Sequence, residues 1–225
     1  YKVLEAVTQR FPELLLEGCS GGGGRFDAGM LYYCPQIWCS DNTDAIERLR
    51  IQYGTSFGYP MSSVSAHVSV CPNHQNHRVT PFKTRGICAM QGTFGYELDL
   101  SKMTDEEKKM AGEQIAFFKE HGRLFQFGDY YRLTSPFENR DYTVWEYAAQ
   151  DGSEACMSVV YTDMYANAAS EIVKWKGLDP KKVYQMQLDG EDAGNFSGAA
   201  LMHAGILLPL PEQNYDAFQI YLKAE

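Results

Sequence analysis

Two short segments carry the residues best suited to chemistry. The first is CSGGGGRFD at residues 19–27, and the second is SDNTD at residues 40–44. Each follows a short apolar run, LLL at 14–16 and IW at 37–38, which predicts that both are loops opening from strand ends. Because active sites on α/β scaffolds gather at such ends, we expect the two segments to form one wall of an active site.

Asp41 is the strongest catalytic candidate in these loops. It comes just after Trp38, Cys39 and Ser40 at a predicted strand end. An apolar aromatic neighbour such as Trp38 could desolvate the carboxyl group and raise its pKa towards the range of a general acid, a pattern found in glycosidases. For Asp44 a structural role is favoured, because an acid in the first turn of a helix is stabilised by the helix macrodipole.

The glycine tetrad at residues 21–24 first suggests a phosphate cradle. It lacks the Lys and Ser/Thr of the GxxxxGK[ST] motif, and it lacks the GxGxxG spacing ahead of an apolar helix. Nucleotide binding is therefore disfavoured. A flexible surface loop and a close approach of backbone to a ligand both stay open, and the position beside a strand end favours the second.

The segment CPNHQNH at residues 71–77 contains three potential metal donors, Cys71, His74 and His77. Their spacing matches no common structural zinc site, and no second ligand pair lies nearby in sequence. An ordered, hydrogen-bonded loop is favoured over a metal site, and no metal or cofactor is predicted. His67 and His203 are interpreted as ordinary polar residues.

Residues 1–127 alternate short apolar strands with helical patterns, which is typical of βα units and a parallel sheet. Capping and apolar spacing predict one helix over residues 43–54, with a Thr or Asn cap in front, and another that begins with the capping box Thr104 to Glu107. An open set of four βα units would leave strands unpaired at both edges, so this region is predicted to be half a barrel. The four predicted strands are Leu14 to Glu17, Gln36 to Cys39, Ser63 to Val70 and Ile87 to Gln91.

From Thr143 onward the sequence pattern changes, and residues 128–225 are predicted to form a second domain. Runs rich in Val, Tyr and Trp alternate with turn signals such as Gln150-Asp151-Gly152 and Asp189-Gly190. Short strands at that spacing predict an antiparallel β-sandwich. The predicted strands are Thr143 to Tyr147, Glu154 to Tyr161, Glu171 to Trp175, Lys182 to Leu188 and Phe218 to Leu222.

Composition narrows the class of partner. The 225 residues are 44% hydrophobic and carry a net charge of −9, so phosphate backbones and anionic membranes are disfavoured as partners. Six scattered cysteines in a chain of this size favour reduced thiols and a cytoplasmic protein. Helical spacing that starts at Tyr1, with no initiator Met, leads us to expect a fragment that begins inside a structural element.

With these segments identified, the chain resembles the bacterial α-galactosidases of glycoside hydrolase family 36. The resemblance runs from CSGGGGRFDAGMLYYCPQIWCSDNTDAIERLRIQYGTSFGYP (19–60) through HVSVCPNHQNHRVTPFKTRG (67–86) and GTFGYELDL (92–100) to QFGDYYRL (126–133). It implies the second half of a (β/α)8 barrel followed by a C-terminal β-sandwich.

The resemblance also implies a retaining mechanism on terminal α-galactosyl residues of raffinose-type oligosaccharides. Asp41 would be the acid/base, while Cys19 and Gly22 would line the galactose pocket. The family's nucleophilic Asp lies in a KWDxNR-type motif that does not occur in these residues, so we expect it upstream, in an N-terminal remainder of the same enzyme. The resemblance further implies a homo-oligomer, since relatives often form tetramers.

Two alternatives stay open on the sequence. One is a non-catalytic carbohydrate-binding or assembly module, which the aromatic-rich sequence permits. The other is an α-N-acetylgalactosaminidase or a transglycosylating relative.

Overall fold

The computed structural model describes residues 1–225 as seven α-helices and twelve β-strands. The helices are α1 (Lys2–Arg10), α2 (Ala28–Leu31), α3 (Ala45–Thr55), α4 (Phe82–Ala89), α5 (Asp105–Glu120), α6 (Gly122–Phe127) and α7 (Gly198–His203). The strands are β1 (Glu17–Gly18), β2 (Gln36–Trp38), β3 (Val64–Ser69), β4 (Thr93–Glu97), β5 (Asp129–Arg132), β6 (Tyr142–Ala148), β7 (Glu154–Tyr161), β8 (Ile172–Val173), β9 (Val183–Leu188), β10 (Glu191–Ser197), β11 (Ile206–Leu207) and β12 (Ala217–Ala224).

The first four strands form one parallel sheet in the order β1-β2-β3-β4. Gly18 pairs with Ile37, Ile37 pairs with Val64, and Ser65 pairs with Thr93, so sequential strands are always neighbours. The spatial order of the strands follows their order in the chain and does not reverse. All carboxyl ends of these strands therefore meet at one edge of the sheet.

The later strands form a six-stranded antiparallel sheet in the order β10-β9-β12-β7-β6-β5, and β8 pairs with β11 in a separate two-stranded sheet. All seven residues of β6 are buried. Since successive side chains point to opposite faces of a sheet, both faces of this strand are buried. Val144 packs on one side with Trp175 and Leu201, whereas Trp145 packs on the other side with Leu49 and other residues of the α/β region. The predicted combination of an α/β region and an antiparallel β region is confirmed.

Two predicted helices are confirmed. Helix α3 begins after Asp44, and α5 begins after Thr104 with both halves of the predicted capping box formed. The predicted cap of α3 was wrong: Asp44, and not Asn42 or Thr43, accepts the first free backbone N–H groups. No helix in the chain has the length and apolar content needed to cross a bilayer.

The fourth predicted strand, Ile87 to Gln91, is wrong. Most of that run belongs to α4, and the fourth strand is β4, a few residues later. Helix α4 lies between the parallel sheet and the antiparallel sheet, and seven of its eight residues are buried. An element buried on every side shows no apolar periodicity, so a short apolar run of this kind is compatible with either a strand or a helix.

One outermost strand of each large sheet also differs from the prediction: β1 in the parallel sheet and β10 in the antiparallel sheet. The first strand is β1 rather than Leu14 to Glu17, and Leu15 is 85% exposed. The missed strand β10 forms a hairpin with β9 through the predicted Asp189-Gly190 turn, where both residues have positive φ. As an edge strand with mostly exposed residues, β10 lacks the apolar alternation that would predict it.

Glu146, on β6, is completely buried. One carboxylate oxygen accepts the backbone N–H of Lys176 at 2.8 Å, and the other, Oε1, has no hydrogen-bond partner. Burial raises the pKa of this carboxyl group to about 8. Since the folded-state pKa lies above the unfolded one, the folded state binds more protons, and stability falls as the pH rises from about 4.5 to about 8.

We expect Glu146→Gln to remove most of that dependence. The amide oxygen can still accept the Lys176 N–H but does not ionise. The variant should match the unsubstituted protein in free energy of unfolding near pH 5 and exceed it by roughly 2 to 4 kcal/mol at pH 8.5, as measured by urea denaturation. Glu138→Gln, at an exposed position, is the control and should leave the pH dependence unchanged. Parallel pH profiles for Glu146→Gln and the unsubstituted protein would contradict the assignment.

Candidate active site

The two loops singled out in the sequence lie side by side. Cys19 directly follows β1, and Asp41 comes three residues after the end of β2. These strands are parallel neighbours in register through Gly18 and Ile37, so both loops leave the same edge of the sheet. Cys19 and Asp41 are both exposed at that edge.

The glycine loop, residues 19–27, rests against the backbone that carries Asp41. Gly22 and Gly23 have φ values of +71° and +92°. A Cβ atom at Gly22 would lie 2.6 Å from the Asp41 backbone nitrogen, and one at Gly23 would lie 2.4 Å from the Cys39 carbonyl oxygen. Both the positive φ and the close approach require glycine. The close backbone approach that the sequence indicated is thus made to the second loop, within the protein itself.

Asp44 has a structural role, as its position predicted. It is 1% exposed, and its Oδ1 accepts the N–H groups of Ile46 (3.1 Å) and Glu47 (2.8 Å) at the start of α3. The same carboxylate forms an ion pair with Arg78. These contacts commit Asp44 to capping the helix and leave Asp41 as the free carboxylate of the loop.

Arg48 connects α3 to the strand that precedes Asp41. Its guanidinium group donates to the carbonyl oxygens of Ser40 (2.9 Å) and Ser65 (2.8 Å) and to the side chain of Gln52 (3.2 Å). The residue is buried, and burial lowers the pKa of its guanidinium group, which still carries its charge at any physiological pH. Arg48 therefore holds the carbonyl group immediately before Asp41.

Trp38 does not play the part predicted for it. Its ring stacks on His67 with the centroids 4.6 Å apart, and the Arg48 guanidinium lies 4.1 Å from the indole centroid. Asp41 is exposed in this chain, so the predicted desolvation by Trp38 is not observed. The indole instead supports the strand end through a cation–π contact that helps to hold Arg48 in place.

The CPNHQNH loop, residues 71–77, is ordered by hydrogen bonds. Asn73 is buried, and its Oδ1 accepts the N–H groups of Gln75 (2.9 Å) and Asn76 (3.3 Å). No group of three or more His, Cys, Asp or Glu side chains in the chain converges to hold a metal ion. The ordered-loop interpretation is confirmed, and the loop reaches across to the Asp41 segment through Gln75.

Three side chains that the sequence did not single out hold the Asp41 segment by hydrogen bonds: Arg48, Asn73 and Gln75. The available signal was weak: three amide residues within four positions, shortly after a strand, and one buried arginine on a helix. The six cysteines are all free, and burial raises the pKa of the Cys34 and Cys39 thiols.

Comparison with known proteins identifies the family of this chain. A family model described as Melibiase matches residues 1–128, and one described as the glycosyl hydrolase family 36 C-terminal domain matches residues 142–222. The bifunctional alpha-galactosidase/sucrose kinase AgaSK of Mediterraneibacter gnavus is 53% identical over 97% of this chain, and alpha-galactosidase AgaA of Geobacillus stearothermophilus is 50% identical over 100% of it.

Solved structures superpose closely. The galactosidase domain of AgaSK has a TM-score of 0.95 at 52% identity, and a variant of AgaA in complex with raffinose has a TM-score of 0.95 at 48% identity. Both comparisons cover 100% of this chain and 31% of the solved chain. The chain spans 23% of the length of AgaSK and 30% of that of AgaA. Since the Melibiase model matches more than half of its residues, this chain belongs to the melibiase family, within glycosyl hydrolase family 36.

Proposed function

We propose that this chain supplies the proton-donor side of the active site of a retaining α-galactosidase that cleaves terminal α-galactosyl residues from raffinose-type oligosaccharides. The observation that carries the proposal is the exposed Asp41 carboxylate, held on a fixed backbone at the edge where parallel strands end. The chain is about half identical to two α-galactosidases, and an AgaA variant is known in complex with raffinose.

In the proposed reaction Asp41 acts twice. As an acid it donates its proton to the glycosidic oxygen while a second carboxylate attacks the anomeric carbon, so that the alcohol leaves neutral and a galactosyl–enzyme ester forms. As a base it then removes a proton from the water that cleaves the ester. The attacking carboxylate belongs to the part of family 36 enzymes that this chain does not cover. Asp44 is unsuited to that role because it caps α3.

We further propose that residues 1–127 form the second half of a (β/α)8 barrel and that residues 128–225 form a C-terminal β-sandwich domain. The unreversed order β1-β2-β3-β4 supports a barrel, because a doubly wound sheet changes direction at its binding crevice. Barrel enzymes carry their catalytic groups where parallel strands end, which is where Asp41 lies.

Cys19 and Gly22 are proposed to line the galactose pocket beside Asp41. Cys19 is exposed at the end of β1, and Gly22 places its backbone against the Asp41 backbone. Both therefore lie on the same side of the sheet edge as the proposed acid.

Assembly as a homotetramer and a cytoplasmic location stay predictions.

The stereochemistry of the product tests the proposal. The full-length enzyme that contains these residues would be incubated with raffinose and followed by proton NMR from the first turnover. We expect α-galactose to appear before its β-anomer, because two displacements restore the original configuration. Initial release of β-galactose would exclude the retaining mechanism.

A comparison of two aryl substrates tests the α-N-acetylgalactosaminidase alternative. A higher kcat/KM for the aryl N-acetyl-α-galactosaminide than for the aryl α-galactoside would favour that alternative.

A further inference from the structure

The side chain of Gln75 spans the loop that carries Asp41. Its Nε2 donates to the Asp41 carbonyl oxygen at 3.0 Å, and its Oε1 accepts the backbone N–H of Thr43, also at 3.0 Å. One amide group thus binds the backbone on both sides of Asn42. An amide has one donor end and one acceptor end, so it matches this pair of backbone groups in a single orientation.

Asn73 holds Gln75 in that position. It is 4% exposed, and its Oδ1 accepts the Gln75 backbone N–H at 2.9 Å. Its Nδ2 donates to the Thr43 hydroxyl oxygen at 3.0 Å, which ties the two loops together a second time. The backbone of Asn73 is itself closed into a turn by hydrogen bonds with Arg78 (2.9 Å) and His77 (2.9 Å).

The backbone around Asp41 is thereby held along its length. Arg48 binds the Ser40 carbonyl oxygen, and Gln75 binds that of Asp41. The N–H of Asn42 donates to the Ser40 hydroxyl oxygen at 3.1 Å, and the Asn42 side chain in turn accepts the N–H of Asp44 at 3.0 Å. Arg48 is buried within the protein, but Gln75 is exposed and can be altered without opening the core.

We infer that Gln75 is a positioning residue for the Asp41 carboxylate, with Asn73 as its support. The inference rests on the proposed function of Asp41 as general acid. Proton transfer requires the donor oxygen within about 2.6 to 3.2 Å of the glycosidic oxygen, and a displacement of about 1 Å costs on the order of 100-fold in rate. Loss of the Gln75 clamp frees the Asp41 backbone on its carboxyl side while the glycine loop and Arg48 still hold the other side.

The test uses the full-length enzyme with Gln75→Ala and Gln75→Met, because methionine keeps the length of the side chain and removes both hydrogen-bonding groups. We expect kcat/KM for raffinose to fall about 10- to 100-fold in both variants. The value for an aryl α-galactoside with a good leaving group should fall less than about 3-fold, since such a leaving group needs little protonation. His74→Ala, at an exposed neighbouring position, is the control and should change neither value.

Each of the other possible results overturns the inference. An equal fall on both substrates indicates a merely structural role and overturns the inference. So does unchanged raffinose hydrolysis, or a Gln75→Met variant that behaves like the unsubstituted enzyme. If the unsubstituted enzyme releases no galactose from either substrate, the proposed function fails and the inference fails with it. Activity in the unsubstituted enzyme with no effect at Gln75 overturns the inference alone.

Discussion

Asp41→Asn in the full-length enzyme is expected to lower kcat/KM for raffinose by about 10²- to 10⁴-fold, the range that general acid catalysis contributes. Asparagine has nearly the same shape as aspartate but cannot donate a proton to the glycosidic oxygen. The value for an aryl α-galactoside with a good leaving group should fall much less, because its phenolate departs without a proton. Steady-state kinetics on both substrates gives the comparison.

The second half of the reaction offers an independent check. Without a base to activate water, the galactosyl–enzyme ester of the Asp41→Asn variant should accumulate and limit kcat for the aryl substrate. Azide is a nucleophile that needs no base, and it would enter from the same α face that water uses. We therefore expect azide to restore kcat and to yield α-galactosyl azide. A lack of azide rescue would contradict the assignment of Asp41 as the base.

Asp44→Asn is the matched control for Asp41→Asn. The substituted side chain would still cap α3, since asparagine is a good N-cap residue, but the ion pair with Arg78 would be lost. We therefore expect a modest loss of stability and similar, small changes in kcat/KM on both substrates. If Asp44→Asn showed the leaving-group dependence and Asp41→Asn did not, the two aspartates would have to exchange roles.

Gly23→Ala is expected to destabilise the protein by roughly 2 to 6 kcal/mol. The methyl group would lie 2.4 Å from the Cys39 carbonyl oxygen, and the residue would have to keep a φ of +92°. A strained φ costs about 1 to 3 kcal/mol, and overpacking against a backbone atom costs about as much again. Because the loop would relieve the overlap by moving away from the Asp41 segment, galactoside hydrolysis should fall along with stability.

Gly21→Ala separates strain from overlap. Gly21 also has a positive φ, +54°, but a Cβ atom there would meet nothing within 4 Å. Its cost should be only about 1 to 2 kcal/mol, the penalty of the left-handed conformation alone. Urea denaturation of the two variants measures the difference. Equal costs at the two positions would contradict the close packing of the glycine loop on the second loop.

Several elements of the fold follow from signals contained within a few residues. The capping box at Thr104 and the Asp189-Gly190 turn were both predicted, because caps and tight turns depend on the hydrogen bonds and φ values of adjacent residues. Helix α3 was predicted from its apolar face, of which Leu49 is completely buried. The strand assigned to Ile87 to Gln91 was wrong, because burial of α4 on all sides removes the periodicity that distinguishes a helix from a strand.

The sequence by itself determined the chemistry available at the site: one aspartate at a strand end, a glycine-rich neighbour and the order in which they occur. Only the tertiary structure decided that Gly22 and Gly23 pack against the backbone of residues 39–41, and that Gln75 binds the backbone on both sides of Asn42. These contacts join segments that lie far apart along the chain. They depend on the register of neighbouring strands and on how closely their loops approach each other. No local pattern of residues encodes the register or the closeness of this approach.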